Sequence, residues 1–310
     1  MSAPVRFGVL GTGYWARTCH GTALQEHPDV ELVGFHGRDL AKARAAADEY
    51  GGSGFDDLDA FLDAVDAVTI ALPPDVQAPL AAAAARRGRH LLLEKPLSFD
   101  LAAADDVVAA TRETGVASIT YLTYLFQPDI TDWLARMREL ADEHGPWEGG
   151  VFRWAGSIDT PGNPYGDSPW RRASLGSWDT GPHALSIVHE LFGPVSRVAA
   201  GRGVRDAVTV SLEHANGAGT QLSLTLTAPP GTGGSSATVW GPGGRHELPR
   251  FHGTPQEGLR RAVDRLRAAA ETGVADPLDV TAARAVVAVL AAVEEHLARP
   301  DHATAVRAQP

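Results

Sequence analysis

Val5-Arg6-Phe7-Gly8-Val9-Leu10 runs directly into Gly11-Thr12-Gly13-Tyr14-Trp15-Ala16. The first six residues favour a strand, and those after the glycines follow a helical spacing to about His27. Gly11 permits a tight turn, Gly13 lets the backbone approach a pyrophosphate, and Ala16 allows the helix to lie close to the strand. The N–H groups and dipole at the helix start favour an anion. A glycine pattern by itself carries little. In this strand–turn–helix setting it predicts a dinucleotide site built from Gly11, Thr12, Gly13, Tyr14 and Trp15.

Working outward, Val30-Glu31-Leu32-Val33-Gly34-Phe35 reads as a second strand, followed by His36-Gly37-Arg38-Asp39 and a helix from Leu40 to Tyr50. An NAD site usually carries an acid at this strand end for the ribose 2′-hydroxyl. His36 and Gly37 stand there instead, and Arg38 can take a 2′-phosphate or stack on adenine, which favours NADP over NAD. Asp39 reads as the N-cap of the next helix, with a ribose contact as the rival reading. A third unit, Ala67 to Leu72, ends in Pro73-Pro74-Asp75 and places Leu72 and Pro73 on the same cofactor edge. A fourth, Leu91-Leu92-Leu93-Glu94-Lys95-Pro96, is an apolar run that delivers a lysine and stops at proline. Ligands of open parallel sheets bind beyond the strands' carboxyl ends, so Lys95 is placed for chemistry, with Glu94 behind it to set its charge state. Only Lys42 and Lys95 are lysines in a chain that otherwise uses arginine. The alternating pattern predicts a doubly wound parallel sheet that closes near residue 122.

The 310 residues suit two domains, and no window is apolar for long enough to span a membrane. The N-terminus shows no export pattern, so a cytoplasmic protein is expected. A net charge of −11 argues against nucleic acid as a partner. The single cysteine, Cys19, excludes an intramolecular disulfide and reads as a small buried residue.

After residue 122 the pattern changes. A helix over 130–143 precedes strand-like runs at 150–155, 195–201, 207–214, 220–227 and 237–240, and Gln221 to Leu226 alternates strictly. This predicts an α+β domain with a large, mostly antiparallel sheet covered on one face only. Two helices, near 256–271 and 281–297, complete it. On a helix over Asp179 to Leu191, Asp179 and His183 are four apart and share a face, and a carboxylate beside an imidazole can exchange protons near neutrality. The rival reading is a helix cap with a satisfied neighbour. No third metal ligand accompanies them, and no metal site is expected.

Gly11-x-Gly13-x-x-Ala16, Glu94-Lys95-Pro96 and Asp179-x-Gly181-x-His183, in this order, resemble the Gfo/Idh/MocA oxidoreductases over nearly the whole chain. The resemblance implies a Rossmann domain (1–122) and a substrate-binding and oligomerisation domain (123–310) with an open-faced sheet. It implies hydride transfer between NAD(P) and a secondary alcohol or ketone of a sugar, cyclitol or related small molecule. By the same resemblance Lys95 contacts the reacting oxygen and the nicotinamide side, His183 acts as acid or base, and Asp179 binds a hydroxyl or orients the histidine. Association into a homodimer or homotetramer through the C-terminal sheet is expected. Two positions depart from the family pattern: Leu125 stands where relatives carry arginine, and Ser186 where they carry an acid. Both losses point to an altered, less polar pocket, with Tyr121, Tyr124, Trp154, Tyr165, Trp170 and Trp178 available to line it; core packing is the alternative reading for most of these aromatics. A lyase or glycosidase with transient redox, and a non-catalytic NAD(P) or sugar sensor, are the alternatives.

Overall fold

The computed structural model of the protein describes residues 4–174 and 176–299. Its first elements are β1 (Val5–Leu10), a π-helical turn (Ala16–Gly21), α1 (Thr22–Gln25), β2 (Val30–His36), α2 (Leu40–Tyr50), β3 (Ser53–Phe55) and α3 (Leu58–Ala64). Then follow β4 (Ala67–Ile70), α4 (Pro74–Arg86), β5 (His90–Leu93), α5 (Leu101–Thr114), β6 (Ser118–Thr120), a 3₁₀ turn (Thr123–Phe126) and α6 (Pro128–His144). The remainder is β7 (Gly149–Ala155), α7 (Pro169–Ala173), α8 (Gly176–Phe192), β8 (Val195–Arg202), β9 (Val208–His214), β10 (Gly219–Thr225), β11 (Gly234–Gly241), β12 (Gly244–Glu247), α9 (Pro255–Thr272) and α10 (Val280–Leu297). The chain divides into two compact units. The first holds the chain up to Arg138 with Leu185–Ile187 and Leu248–Val287; the second holds Glu139–Ala184, Val188–Glu247 and the chain from Ala288.

The first unit contains a six-stranded sheet in the order β3-β2-β1-β4-β5-β6, every pair parallel. This is the doubly wound arrangement, whose winding reverses between β1 and β4 and leaves a crevice at the carboxyl ends of those strands. Phe7, Val9 and Leu10 of β1 and Leu91, Leu92 and Leu93 of β5 are wholly buried, as strands covered on both faces must be. β3 and α3 escape a reading by periodicity because each is too short to show a period.

α9 also packs within this unit. Leu259, Ala262, Val263 and Leu266 form its buried stripe, and Thr254 with Glu257 closes a capping box at its start. Gln256 donates from Nε2 to the Thr18 carbonyl at 2.7 Å, and Arg267 reaches Asp29 at 2.9 Å. The Tyr121 hydroxyl donates to the Pro255 carbonyl at 2.5 Å. That approach needs Gly258, where a β-carbon would lie 2.6 Å from the Tyr121 hydroxyl.

The second unit carries a sheet in the order β12-β11-β7-β10-β9-β8. Its pairs are antiparallel except β7 with β10. Val208, Val210, Leu212 and His214 of β9 are buried, while Thr209, Ser211 and Glu213 between them are exposed. α8 lies over the buried face, with Phe192 edge-on to Phe152 and close above Gly150. β12 pairs with β11 where a turn alone was expected, and β11 starts at Gly234, three residues earlier than its apolar core suggests.

Candidate active site

The glycine loop leaves β1 at the switch point. Gly11 has φ +132°, and a β-carbon there would meet the Ala71 carbonyl at 2.7 Å and the Ala16 side chain at 3.2 Å. Glycine is therefore demanded by the backbone at the end of β4, and the small Ala16 by Gly11. Gly13 differs, because a β-carbon added there would have nothing within 4 Å. Nothing among the described residues requires glycine at 13, whereas a ligand whose phosphates lie against the backbone would, so the loop fits a dinucleotide. Tyr14 is 53 % exposed beside it. The Gly37 position touches Thr12, whose methyl would lie 2.8 Å from an added β-carbon, so Arg38, exposed, follows directly on the contact between the two loops. The Asp39 carboxylate accepts from the amides of Ala41 and Lys42, which settles it as the α2 N-cap. Leu72 and Pro73 follow β4, held beside the glycine loop by the Ala71 amide donating to the Leu10 carbonyl at 3.0 Å.

Glu94 is buried and engaged at both oxygens. Oε1 accepts from Trp15 Nε1 at 2.6 Å and faces His20 Nε2 at 3.0 Å, and Oε2 accepts from the Lys95 amide at 3.2 Å. Burial pushes the carboxyl up, but the hydrogen bond and charge of His20, the Trp15 N–H and the Lys95 charge together hold it below the ordinary carboxylate value. His20 itself is 0 % exposed and meets the Thr69 hydroxyl through Nδ1 at 2.6 Å. Gln77 clamps the same segment from α4: Nε2 donates to the Glu94 and Pro96 carbonyls at 2.7 and 3.1 Å, and Oε1 accepts from the Glu94 amide at 2.9 Å. The Lys95–Pro96 bond is cis, and the Lys95 side chain is partly exposed. Burial and the nearby Glu94 charge raise the Cys19 thiol, which stays protonated.

In the second unit Asp179 and His183 lie one turn apart on α8, and both are partly exposed. Arg171 Nε reaches Asp179 Oδ1 at 3.4 Å, and its guanidinium stands 4.2 Å over the Trp170 ring and 4.6 Å over that of Tyr165. Of the aromatics expected to line a pocket, Tyr121, Trp154 and Trp178 belong to the core, and Trp178 donates to Glu294 at 2.7 Å. Leu125 and Ser186 are also buried, at 5 % and 3 % exposure.

Sequence reasoning missed His20, Gln77 and Arg171. His20 follows the glycine loop at a spacing the dinucleotide pattern does not specify, and Gln77 sits in an alanine-rich helix with only its polarity to mark it. Arg171 had a signal in the sequence: it directly follows an aromatic, Trp170, and lies eight residues before Asp179. Among the described residues no group of three or more His, Cys, Asp or Glu side chains could hold a metal ion, and no helix is long and apolar enough to cross a membrane.

Fold and loop together define a dinucleotide-binding fold of the Rossmann type. The family model described as "Oxidoreductase family, NAD-binding Rossmann fold" matches residues 5–121, and the chain belongs to this Gfo/Idh/MocA family. A dTDP-3,4-didehydro-2,6-dideoxy-alpha-D-glucose 3-reductase of Streptomyces antibioticus is 37% identical over 43% of this chain and 42% of its own length. The protein of the same name from Streptomyces violaceoruber is 31% identical over 76% of this chain and 66% of its own. The match thus spans less than half of the first relative and about two thirds of the second. GenD2 from gentamicin A biosynthesis, solved in complex with NAD, shares the fold with a TM-score of 0.81 at 23% identity, covering 96% of this chain and 95% of that one.

Proposed function

We propose that the protein is an NAD(P)-dependent dehydrogenase or reductase that moves a hydride between nicotinamide and a secondary alcohol or ketone of a sugar, cyclitol or related small molecule. The observation that carries this reading is the open space at Gly13 beside a strand end that presents Lys95. Residues 1–122 bind the cofactor, through Gly11, Thr12, Gly13, Tyr14, Trp15, Leu72 and Pro73, with Glu94 and Lys95 at its nicotinamide side. Arg38 selects NADP. Residues 123–310 bind substrate and mediate association of copies through the C-terminal sheet, and the reaction takes place in the cytoplasm.

The nicotinamide supplies the hydride donor or acceptor. Oxidation of an alcohol leaves a proton to remove from oxygen, and reduction of a ketone develops negative charge there. Lys95 serves that oxygen as a cationic hydrogen-bond donor, His183 takes or returns the proton, and Asp179 orients the imidazole or holds a substrate hydroxyl. The dTDP-sugar reductases among the relatives support a sugar substrate.

The test is titration with NADPH and NADH followed by fluorescence, then nicotinamide absorbance during a screen of sugars, keto-sugars, cyclitols and dTDP-linked keto-sugars. Net consumption with one of them, lost by several orders of magnitude in Lys95→Ala and in His183→Ala, is the expected result. Binding without net consumption transfers the reading to a transient-redox lyase or glycosidase, and no binding ends it.

A further inference from the structure

Thr69, His20, Glu94 and Trp15 form a connected chain, and the proposed mechanism gives no part to two of its members, Thr69 and His20. It crosses three elements of the first unit: Thr69 on β4, His20 on the π-helical turn, and Glu94 at the end of β5, with Trp15 at the opening of the dinucleotide loop. His20 and Thr69 are 0 % exposed and Glu94 is 8 % exposed. A buried polar chain of this kind is costly unless each member is satisfied, and the distances of 2.6, 3.0 and 2.6 Å show that each is. The apolar alternative would serve the core equally well, so the polarity calls for a reason beyond packing.

The geometry supplies one. Nε2 of His20 faces an ionised carboxylate and so carries the proton that it donates to Oε1, while Nδ1 is pinned by Thr69. The imidazole thereby fixes the rotation of the Glu94 carboxyl group, which directs Oε2 at the Lys95 amide and leaves Oε1 free to accept also from the Trp15 indole. The π-helical geometry of residues Ala16–Gly21 shifts the helix face by one residue and carries His20 to this point; such turns are frequent at functional sites.

We propose that His20 is a positioning residue of this site: acting through Glu94, it fixes the main chain at Lys95 and locks the Trp15 side of the dinucleotide loop to it. The inference rests on Lys95 being the residue at the reacting oxygen, but its test does not need a substrate. The chain has two lysines, Lys42 and Lys95, so protein labelled with α-¹⁵N-lysine gives two amide cross-peaks, assigned by Lys42→Arg.

In His20→Leu, which fills the space without a donor, the Lys95 amide proton moves upfield and its exchange with solvent rises about tenfold or more, while Lys42 stays in place. His20→Gln, which returns an N–H toward Oε1, restores the Lys95 peak. Glu94→Gln moves the Lys95 peak in the same way, and adding His20→Leu to it moves that peak no further, because both act through one chain. If His20→Leu does not fold, the near-isosteric Thr69→Val shifts the Lys95 peak in the same direction by a smaller amount. A Lys95 peak that stays in place in His20→Leu, or in Thr69→Val should that be the variant read, overturns the proposal, as does His20→Gln behaving like His20→Leu. Failure of both NADPH and NADH to bind the parent protein would instead remove the proposed function and leave the Lys95 result standing.

Discussion

Gly11 and Gly13 look alike in the sequence and have opposite physical causes. At Gly11 the backbone itself excludes a side chain, through φ +132° and the Ala71 carbonyl. Gly11→Ala is therefore expected to destabilise the protein by about 1–3 kcal/mol, read as a lower urea midpoint. Gly13→Ala meets open space and is expected to change stability by less than about 0.5 kcal/mol, while weakening dinucleotide binding about tenfold or more. Equal binding by parent and Gly13→Ala would show that no phosphate lies against this loop. Arg38 is exposed and has no ion-pair partner among the described residues, so its removal acts on ligand rather than fold. Arg38→Ala is expected to lower NADPH affinity about 10- to 100-fold, the equivalent of one or two charge-assisted hydrogen bonds, with less than about threefold effect on NADH. An equal loss for both cofactors would assign Arg38 to adenine instead of the 2′-phosphate.

α8 joins two roles along one helix: its first turns present Asp179 and His183, and its last turns cover the sheet with Phe192. His189 belongs to the second role. Burial, with the neighbouring His214 adding to it, pushes its pKa down to about 4. The folded value thus lies below the unfolded value of about 6.5, so the unfolded chain takes up this proton first as pH falls. The helix keeps its full contribution above about pH 7 and loses it progressively between about pH 6.5 and 4, which amounts to about 2 kcal/mol at pH 5. Urea midpoints at pH 7 and pH 5 should fall accordingly, and His189→Gln should remove about that much of the fall. A fall unchanged in His189→Gln would refute the assignment. α9 shows how element and site meet, since the glycine at 258 admits the Tyr121 hydroxyl and ties the start of the helix to the strand end after β6.

For the molecule as a whole, the outer face of the second sheet is the open question that the fold poses. β9 and β10 expose alternate residues along their lengths, and Val151 and Trp240 on the adjoining strands are 47 % and 41 % exposed. If copies associate through this face, light scattering on the purified protein gives a dimer or tetramer mass, and Val151→Glu with Trp240→Glu lowers it toward one chain at micromolar concentration. A single-chain mass for the parent would discard the expected association.

Local chemistry made much of the protein legible. The glycine loop, the apolar run into Lys95 and the strict alternation of Gln221 to Leu226 each follow from forces acting over a few residues: backbone sterics, burial on two faces, burial on one. They determined a doubly wound parallel sheet and a second sheet covered on one face, and they singled out Asp179 and His183 by helical spacing. Tertiary structure alone decided the rest. It placed α9, far along the chain, within the first unit, because its apolar stripe and Gly258 fit a surface that exists only once β6 and the 3₁₀ turn are folded. It sent Tyr121, Trp154 and Trp178 to the core, since an aromatic side chain reads the same in sequence whether it packs or binds. It also joined Thr69, His20 and Glu94, up to 74 residues apart, into one hydrogen-bonded chain. No periodicity encodes such a chain, because a hydrogen bond between distant residues depends on where their strands and helices come to rest.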